Sequence, residues 1–327
     1  MGLFLGLEPI LWLGLVDPPS PPLEKWILKM SILVSMAVES RTYHNENDHS
    51  RVMEFLRATY AETDSLENWL PPRFENNSRS MDPGIQLWED NGKIVGLVVP
   101  EEPLVYFVQL HPRYLRLYDE MVNWVEKYSG ANWSKEDAVL KIIEMYGNPE
   151  KEKTLQEHGF TRVRIYGIFR IRDLDAVIPN YKLPDGFSVR SVSPDDFDEI
   201  ASCIREVFGH GEWFNREILE TLASASFYNP DLDLVAVDKQ DKIVSFCTFR
   251  MDSPSGVTEL EPMGTLPDYR SMGIGRALLC EGFRRLKKYN PTLLYIGGAA
   301  NTPPANRLYE LTGFTQRIDL YRWEKPL

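Results

Sequence analysis

Three short segments recur in the same order in the two halves of this chain, and together they restrict its architecture more than any other feature does. Leu87-Trp88-Glu89-Asp90-Asn91-Gly92-Lys93-Ile94-Val95 parallels Leu234-Val235-Ala236-Val237-Asp238-Lys239-Gln240-Asp241-Lys242-Ile243-Val244, and each reads as a strand, a polar turn and a second strand. Further along, His111-Pro112-Arg113-Tyr114 parallels Leu266-Pro267-Asp268-Tyr269, and Gly159-Phe160-Thr161 parallels Gly313-Phe314-Thr315. A chance resemblance of hairpins yields one such match; three in order imply two copies of one plan. With 327 residues, 43% of them hydrophobic, the chain is long enough for two packed cores. The stretch from Leu174 to Gly186, punctuated by Pro179 and Pro184, reads as the linker between the copies.

In the second copy, Pro267-Asp268-Tyr269-Arg270-Ser271-Met272-Gly273-Ile274-Gly275-Arg276-Ala277-Leu278-Leu279 reads as a strand end, a glycine-bearing turn and the opening of a helix. Such a turn cradles phosphate. Gly273 and Gly275 let the backbone come close to a ligand, and the first helical amides, lacking internal partners, point at an incoming anion. The helix dipole adds to this, and Arg270 and Arg276 supply mobile positive charge at the rim. Spacing excludes two competitors: a dinucleotide fingerprint starting at Gly273 needs a glycine where Leu278 stands, and a P-loop needs Gly-Lys-Ser/Thr. On this segment alone, an ordinary strand-to-helix turn with two glycines is the plain alternative.

Downstream, Asn301-Thr302-Pro303-Pro304-Ala305-Asn306-Arg307-Leu308-Tyr309-Glu310-Leu311-Thr312-Gly313-Phe314 reads as a short helix. Thr302 can cap it, Pro303 suits its first turn, and Gly313 serves as its left-handed stop. Between the segments, Leu279, Phe283 and Leu286 repeat at helical spacing and Leu293-Leu294-Tyr295-Ile296 reads as a strand. The two segments, at this distance, resemble the R-x-x-G-x-G and N-x-x-A-x-x-L-Y-x-x-x-G-F motifs of the GNAT superfamily, the acyl-CoA-dependent N-acyltransferases. Asn301 lies further from Tyr309 than the commonest spacing, which leaves open whether Asn301 or Asn306 touches the cofactor.

The resemblance implies an α+β protein of two tandem GNAT-like domains, each a mixed, mostly antiparallel sheet flanked by helices. Residues 36–173 are the degenerate copy and 187–327 the catalytic one. It further implies acetyl-CoA as co-substrate, held by Arg270, Ser271, Met272, Gly273, Ile274, Gly275 and Arg276 with Asn301 or Asn306. A main-chain amide near Met263, Gly264 or Thr265 would hold the carbonyl oxygen as it gathers charge. The first copy has lost the cradle: with Pro112 aligned to Pro267, Leu115 stands where Arg270 stands and no glycine follows before the helix. Leu155 falls opposite Tyr309, and Tyr106 opposite Glu261. That copy is left to pack, to shape a substrate cleft or to mediate homodimerisation.

The implied reaction moves an acetyl group directly to a primary amine of a small molecule or peptide. An alkylammonium has a pKa of ~10.4, so freeing its lone pair at pH 7 costs about 4.6 kcal/mol and calls for a base. Glu261, on the strand leading into the cradle, is the best-placed carboxylate, with Glu259 on the same strand face. Its alternative role is only to hold substrate. Tyr309 is the matching general acid for the departing thiolate, or else a ring packed on the core. A non-catalytic acyl-CoA-binding or scaffold module is the alternative to an enzyme.

A formal net charge of −12 argues against a nucleic-acid surface, which needs clustered Lys and Arg. Three scattered cysteines, Cys203, Cys247 and Cys280, suggest reduced thiols in a cytoplasmic protein, and the five histidines show no zinc-ligand spacing, so no metal is expected. Residues 1–35 are expected to stay outside the core: Glu8 and Pro9 interrupt the Leu-rich start, no Lys or Arg precedes Lys25, and Met30 or Met36 reads as the better start. No membrane span is expected. Trp213-Phe214 could form a substrate wall, although packing is the commoner fate of such residues, as for Tyr321 and Trp323.

Overall fold

The computed structural model describes residues 38–66, 69–78, 84–133 and 137–327. The expectations for the leader, including Met30 and Met36, lie outside the described residues. The first half runs β1 (Glu39–Thr42), α1 (Asn45–Thr63), α2 (Pro71–Ser78), β2 (Gln86–Asp90), β3 (Lys93–Glu102), β4 (Val105–Leu110), α3 (Tyr118–Asn132), β5 (Val139–Met145), α4 (Pro149–Glu157) and β6 (Thr161–Arg172). The second repeats this order: β7 (Ser188–Ser191), α5 (Phe197–Phe208), α6 (Arg216–Ala223), β8 (Asp233–Val237), β9 (Ile243–Asp252), β10 (Val257–Thr265), α7 (Ile274–Leu286), β11 (Leu293–Ala299), α8 (Pro303–Leu311) and β12 (Gln316–Pro326). Local chemistry places the helix ends. Asn148 accepts from Lys151 N ahead of Pro149 to start α4, and Gly209 stops α5 with φ of 72°.

All strands join one sheet, in the order β1-β2-β3-β4-β5-β12-β6-β11-β10-β9-β8-β7. Only β4–β5 and β10–β11 run parallel; the other pairs are antiparallel. The repeat is therefore closed by an exchange that its sequence does not announce. Each copy sends its last strand beside the fifth strand of the other: β12 pairs with β5 from Leu320↔Met145 to Pro326↔Val139, and β6 pairs with β11 from Leu294↔Arg172 to Ala299↔Ile168. The two exchanged strands then pair with each other, Gln316↔Ile171 to Glu324↔Thr161.

Because strand side chains alternate between faces, the exchanged strands feed two cores at once. Phe169 and Ile171 of β6 and Leu293 and Tyr295 of β11 join the core under α1 and α2, while Ile168, Leu294 and Ile296 join the one under α7 and α8. Arg172, almost fully buried on β6, donates to the carbonyls of Thr312, Asp173 and Ala176 at 3.0, 2.8 and 3.0 Å and lies 4.4 Å from the Phe283 ring centre. A guanidinium suits this because its fixed fork serves several acceptors together. From the other side, Arg57 of α1 makes a bidentate bond to Asp252 of β9, and Glu75 of α2 accepts from the amide and hydroxyl of Ser226, both at 2.6 Å.

The exchange makes neither half self-sufficient. A fragment of residues 187–327 lacks β6 and leaves the apolar edge of β11 bare, so it is expected to aggregate or melt without cooperativity by circular dichroism. Fusing residues 161–172 to it should restore a cooperative transition. A monomeric, cooperatively melting 187–327 fragment without that strand would show that the exchange is dispensable.

Candidate active site

The site begins where two neighbouring strands part. β10 and β11 are paired only over Val257↔Leu293, Thr258↔Leu294 and Glu259↔Tyr295, although β10 runs on to Thr265 and β11 to Ala299. Both strands carry the reason in their sequence. Pro262 has no N–H for a ladder and lies in the register shift between Leu260 and Met263, while Gly297 and Gly298 lie in the shift between Ile296 and Ala299. Past Glu259 the β10 edge therefore faces a notch rather than a strand.

The cradle lies at the end of β10. After the 3-10 turn Pro267–Tyr269, Ser271 and Gly273 both take positive φ, 63° and 83°, and Gly273 caps α7 with its backbone alone. The first helical bond runs from Ala277 N to Gly273 O at 3.0 Å, so the amides of residues 274–276 precede the ladder. A Cβ on Gly275 would meet Met263 Cε and Thr265 Oγ1, both at 3.0 Å; one on Gly273 would meet the hydroxyl of Tyr181 at 2.0 Å. The left-handed φ favours glycine at Gly273, and the space at Gly275 is tight for any side chain. Arg270 is exposed and donates from Nε to Thr265 O at 3.1 Å, Met272 is exposed, and Ile274 is buried as the helix anchor. The Arg276 guanidinium lies 4.6 Å from the ring centre of Tyr181, a linker residue.

Across the notch, α8 brings Tyr309 into the core, 7% exposed, with its ring edge-on to Phe314. Burial, and then the charge of Glu261, push the Tyr309 hydroxyl up to about 12. Asn301 and Asn306 are linked to each other. Arg170 Nη2 donates to Asn306 Oδ1 at 2.7 Å, and Asn306 Nδ2 donates to Asn301 Oδ1 at 3.1 Å, so one chain holds both. The same Arg170 guanidinium lies 5.9 Å from the Tyr309 ring centre.

On the first-half side, the notch adjoins a cavity of about 490 Å³ whose wall includes Glu261, Tyr295, Gly297 and Asn301 together with Trp69, Leu70, Arg73 and Phe107. Glu261 is half-buried, whereas Glu259 is 1% exposed, its Oε1 without a hydrogen-bond partner and 3.8 Å from Arg73 Nη1. Burial first, and then Glu261, push the Glu259 carboxyl up to about 7 against the opposing pull of Arg73 and Arg250. Gly297 makes this approach feasible, since a Cβ there would meet Glu259 Oε1 at 2.8 Å. Arg73 is itself paired to Glu101 at 2.5 Å.

All fourteen residues singled out in the sequence, from Glu261, Met263, Gly264 and Thr265 through the turn to Asn301, Asn306 and Tyr309, thus lie on β10, α7 or the segment around α8 that surround one notch. Sequence reasoning missed the contributors from elsewhere: Arg170 on β6, Arg73 on α2 and Tyr181 on the linker. Arg170 and Arg172 alternating with Phe169 and Ile171 were a readable signal, because a buried strand admits a guanidinium only where acceptors wait for it. Arg73 carried none.

Residues 197–314 match the model of the Acetyltransferase (GNAT) family. The chain is similar to a mycothiol acetyltransferase of Arthrobacter sp. (27% identical over 180 residues, 52% of this chain and 56% of the relative) and to one of Acidothermus cellulolyticus (31% over 187 residues, 51% and 56%). The matched regions span little more than half the length of these relatives. In fold it is similar to a GCN5-related N-acetyltransferase from Sphaerobacter thermophilus (TM-score 0.63, 18% identity, covering 89% of this chain and 96% of that one). It is equally similar to a tandem GNAT protein from the clavulanic acid biosynthesis pathway (TM-score 0.63, 14% identity, 89% and 98%). Family model, motifs and fold coincide on the second half: this chain carries an acetyltransferase domain of the GNAT family across residues 197–314.

Proposed function

We propose that this chain is an acyl-CoA-dependent N-acyltransferase that moves an acetyl group from acetyl-CoA to a primary amine by direct transfer. In this reading residues 187–327 carry the co-substrate site and residues 36–173 wall the acceptor side. The observation that carries it is the parting of β10 from β11 beside the Gly273–Gly275 turn, with Glu261 and Tyr309 flanking the notch. The residues fit the co-substrate, because the turn brings bare backbone at Gly273 and Gly275 to the surface of the site and presents helical amides that precede the ladder. Arg270, Arg276 and the amides of residues 274–276 would hold its diphosphate, with Asn301 and Asn306 at the opposite side. When bound, acetyl-CoA supplies an acyl carbon activated by a thiol leaving group.

Glu261 takes the proton that the attacking ammonium must lose, since it is the carboxylate on the cavity wall. Glu259 beneath it is pushed up to about 7 by burial and then by Glu261, so it is the deeper carboxyl that holds a proton into the neutral range. The freed amine then attacks the acyl carbon: the C–N bond forms, the C–S bond breaks, and the nitrogen's second proton goes to the departing thiolate. Tyr309 serves the leaving sulfur as a hydrogen-bond donor: with its hydroxyl near 12 against ~8.5 for a cysteine-like thiol, full transfer is uphill by roughly 5 kcal/mol.

Acceptor-stimulated release of free CoA thiol across a panel of primary amines is the expected result. Calorimetric binding of acetyl-CoA with no such release would mark a binding module instead, and no binding at all would remove the reading. Tyr309→Phe should lower kcat by about 10²-fold or less with acetyl-CoA affinity unchanged, and an unchanged kcat would reduce Tyr309 to packing.

Glu259 also makes a stability prediction with a definite sign. Its folded carboxyl titrates near 7 against an ordinary 4.5, so between these values the folded state binds the extra proton. Stability from this group is present at low pH and is lost as pH rises through that window. Urea melts at pH 5 and pH 8 should therefore show Glu259→Gln gaining on wild type at the higher pH, and an identical pH slope for both proteins would contradict the assignment.

A further inference from the structure

We propose that the cavity beside Glu261 admits an amine carried on an apolar, ring-bearing skeleton, and that the first half of the chain sets this preference. The inference rests on the acyl-transfer reading for the reaction, but the occupant is argued from the cavity itself. None of the cradle residues, Arg270 to Arg276, lines it, nor does Tyr309; it meets the notch through Glu261 and Asn301. It is therefore a chamber for the acceptor, separate from the diphosphate turn. Its volume of about 490 Å³, at about 30 Å³ per water, equals that of about 16 waters, which suits a ligand of roughly ten to twenty non-hydrogen atoms.

The wall decides the chemistry. Trp69, Leu70 and Phe107 come from the first half, and Phe169 and Leu320 from the two exchanged strands; all five are buried. Apolar atoms make up somewhat more than half of the wall, and several of its polar side chains are engaged elsewhere. Arg73 is paired to Glu101, Tyr166 donates to Glu101 as well, and Asn301 accepts from Asn306. That leaves Glu261 and two buried groups without a hydrogen-bond partner, the Trp69 Nε1–H and the Tyr295 hydroxyl. A single ammonium can pair with Glu261 on the wall, whereas a second cation deeper in the chamber would have no wall carboxylate to pair with. A polyhydroxylated acceptor would bury hydroxyls that these walls cannot satisfy. An arylalkyl amine places its ring against Trp69 and Phe107, its centroids 5.0 Å apart, and its nitrogen at Glu261.

Thiol release from acetyl-CoA should be measured with 2-phenylethylamine, tryptamine, glucosamine and putrescine as acceptors. The expected result is a kcat/KM for the two aryl amines at least tenfold above that for the aminosugar and the diamine. Leu66→Ser, a change on the half-buried rim of the chamber, should cut that preference severalfold while leaving the KM for acetyl-CoA and the turnover of ethylamine unchanged. Preference for glucosamine or putrescine, or a preference that Leu66→Ser does not move, would overturn the proposal while the acyl-transfer reading stands. Should no amine release thiol, the acyl-transfer reading fails by itself. Calorimetry with 2-phenylethylamine alone then judges the chamber: saturable binding weakened by Leu66→Ser supports the proposal, and absence of binding sinks it.

Discussion

The antiparallel pairing of β6 with β12 is the constraint on which the rest of the molecule depends. Each strand is covalently part of one copy and hydrogen-bonded beside the fifth strand of the other, so every feature at the centre of the sheet is built from both. Arg170, a residue of the copy without a cradle, orients Asn306 and lies beside Tyr309. Phe169, one position earlier and on the opposite face, lines the acceptor chamber. A single strand thus fixes both the cofactor side and the acceptor side of the notch, and its displacement would disturb them together. That coupling explains how a half that has lost its own phosphate turn can remain part of the working site.

The buried charges beside the notch obey a second constraint. Glu101, Glu259 and Glu261 surround Arg73, and taking such groups out of water is unfavourable unless they pair or change protonation. The cluster does both. Arg73 is committed to Glu101, and Glu259, left with an unpartnered oxygen, is held near neutrality. Glu261, two residues along the same strand, is shallower and reaches the cavity wall.

Much of this was legible in the sequence because it is local. The R-x-x-G-x-G turn fixes a left-handed Gly273 and a helix start, and the Pro303 to Gly313 segment fixes α8, without reference to anything distant. The repeat foretold two copies of one strand and helix order. What it could not convey was pairing. β6 and β12 each follow a helix and a Gly-Phe step in the same way, and nothing within twelve residues says whether a strand closes its own sheet or its neighbour's. The same blindness hid Arg73 and Tyr181, whose places beside Glu259 and Arg276 exist only after distant parts of the chain have folded together. The parting of β10 and β11 lies between these extremes: Pro262 and Gly297-Gly298 stood in view, but each reads as a break in one strand until the two are known to be neighbours.

The first copy shows what the architecture is without the chemistry. Its parallel ladder, Val105↔Lys141 to Phe107↔Ile143, is as short as that of β10 and β11, so the notch is a property of the fold rather than of the active half. Matched by these ladders, Phe107 holds the place of Glu259, whereas the count from the prolines put Tyr106 at the place of Glu261; β10 is longer and carries a register shift, which displaces that count. Side chains occupy the rest. Tyr118 opens α3 where a glycine turn would be needed and donates to Glu144, which also pairs with the buried Lys151 at 3.1 Å, while Leu155 is fully buried at the place of Tyr309. An anion approaching this helix start would have to displace a tyrosine and a carboxylate, so charge and bulk both turn it away. Phe107, on the strand beside β5, instead faces the cavity next to Glu261, where the first half supplies part of the proposed acceptor wall.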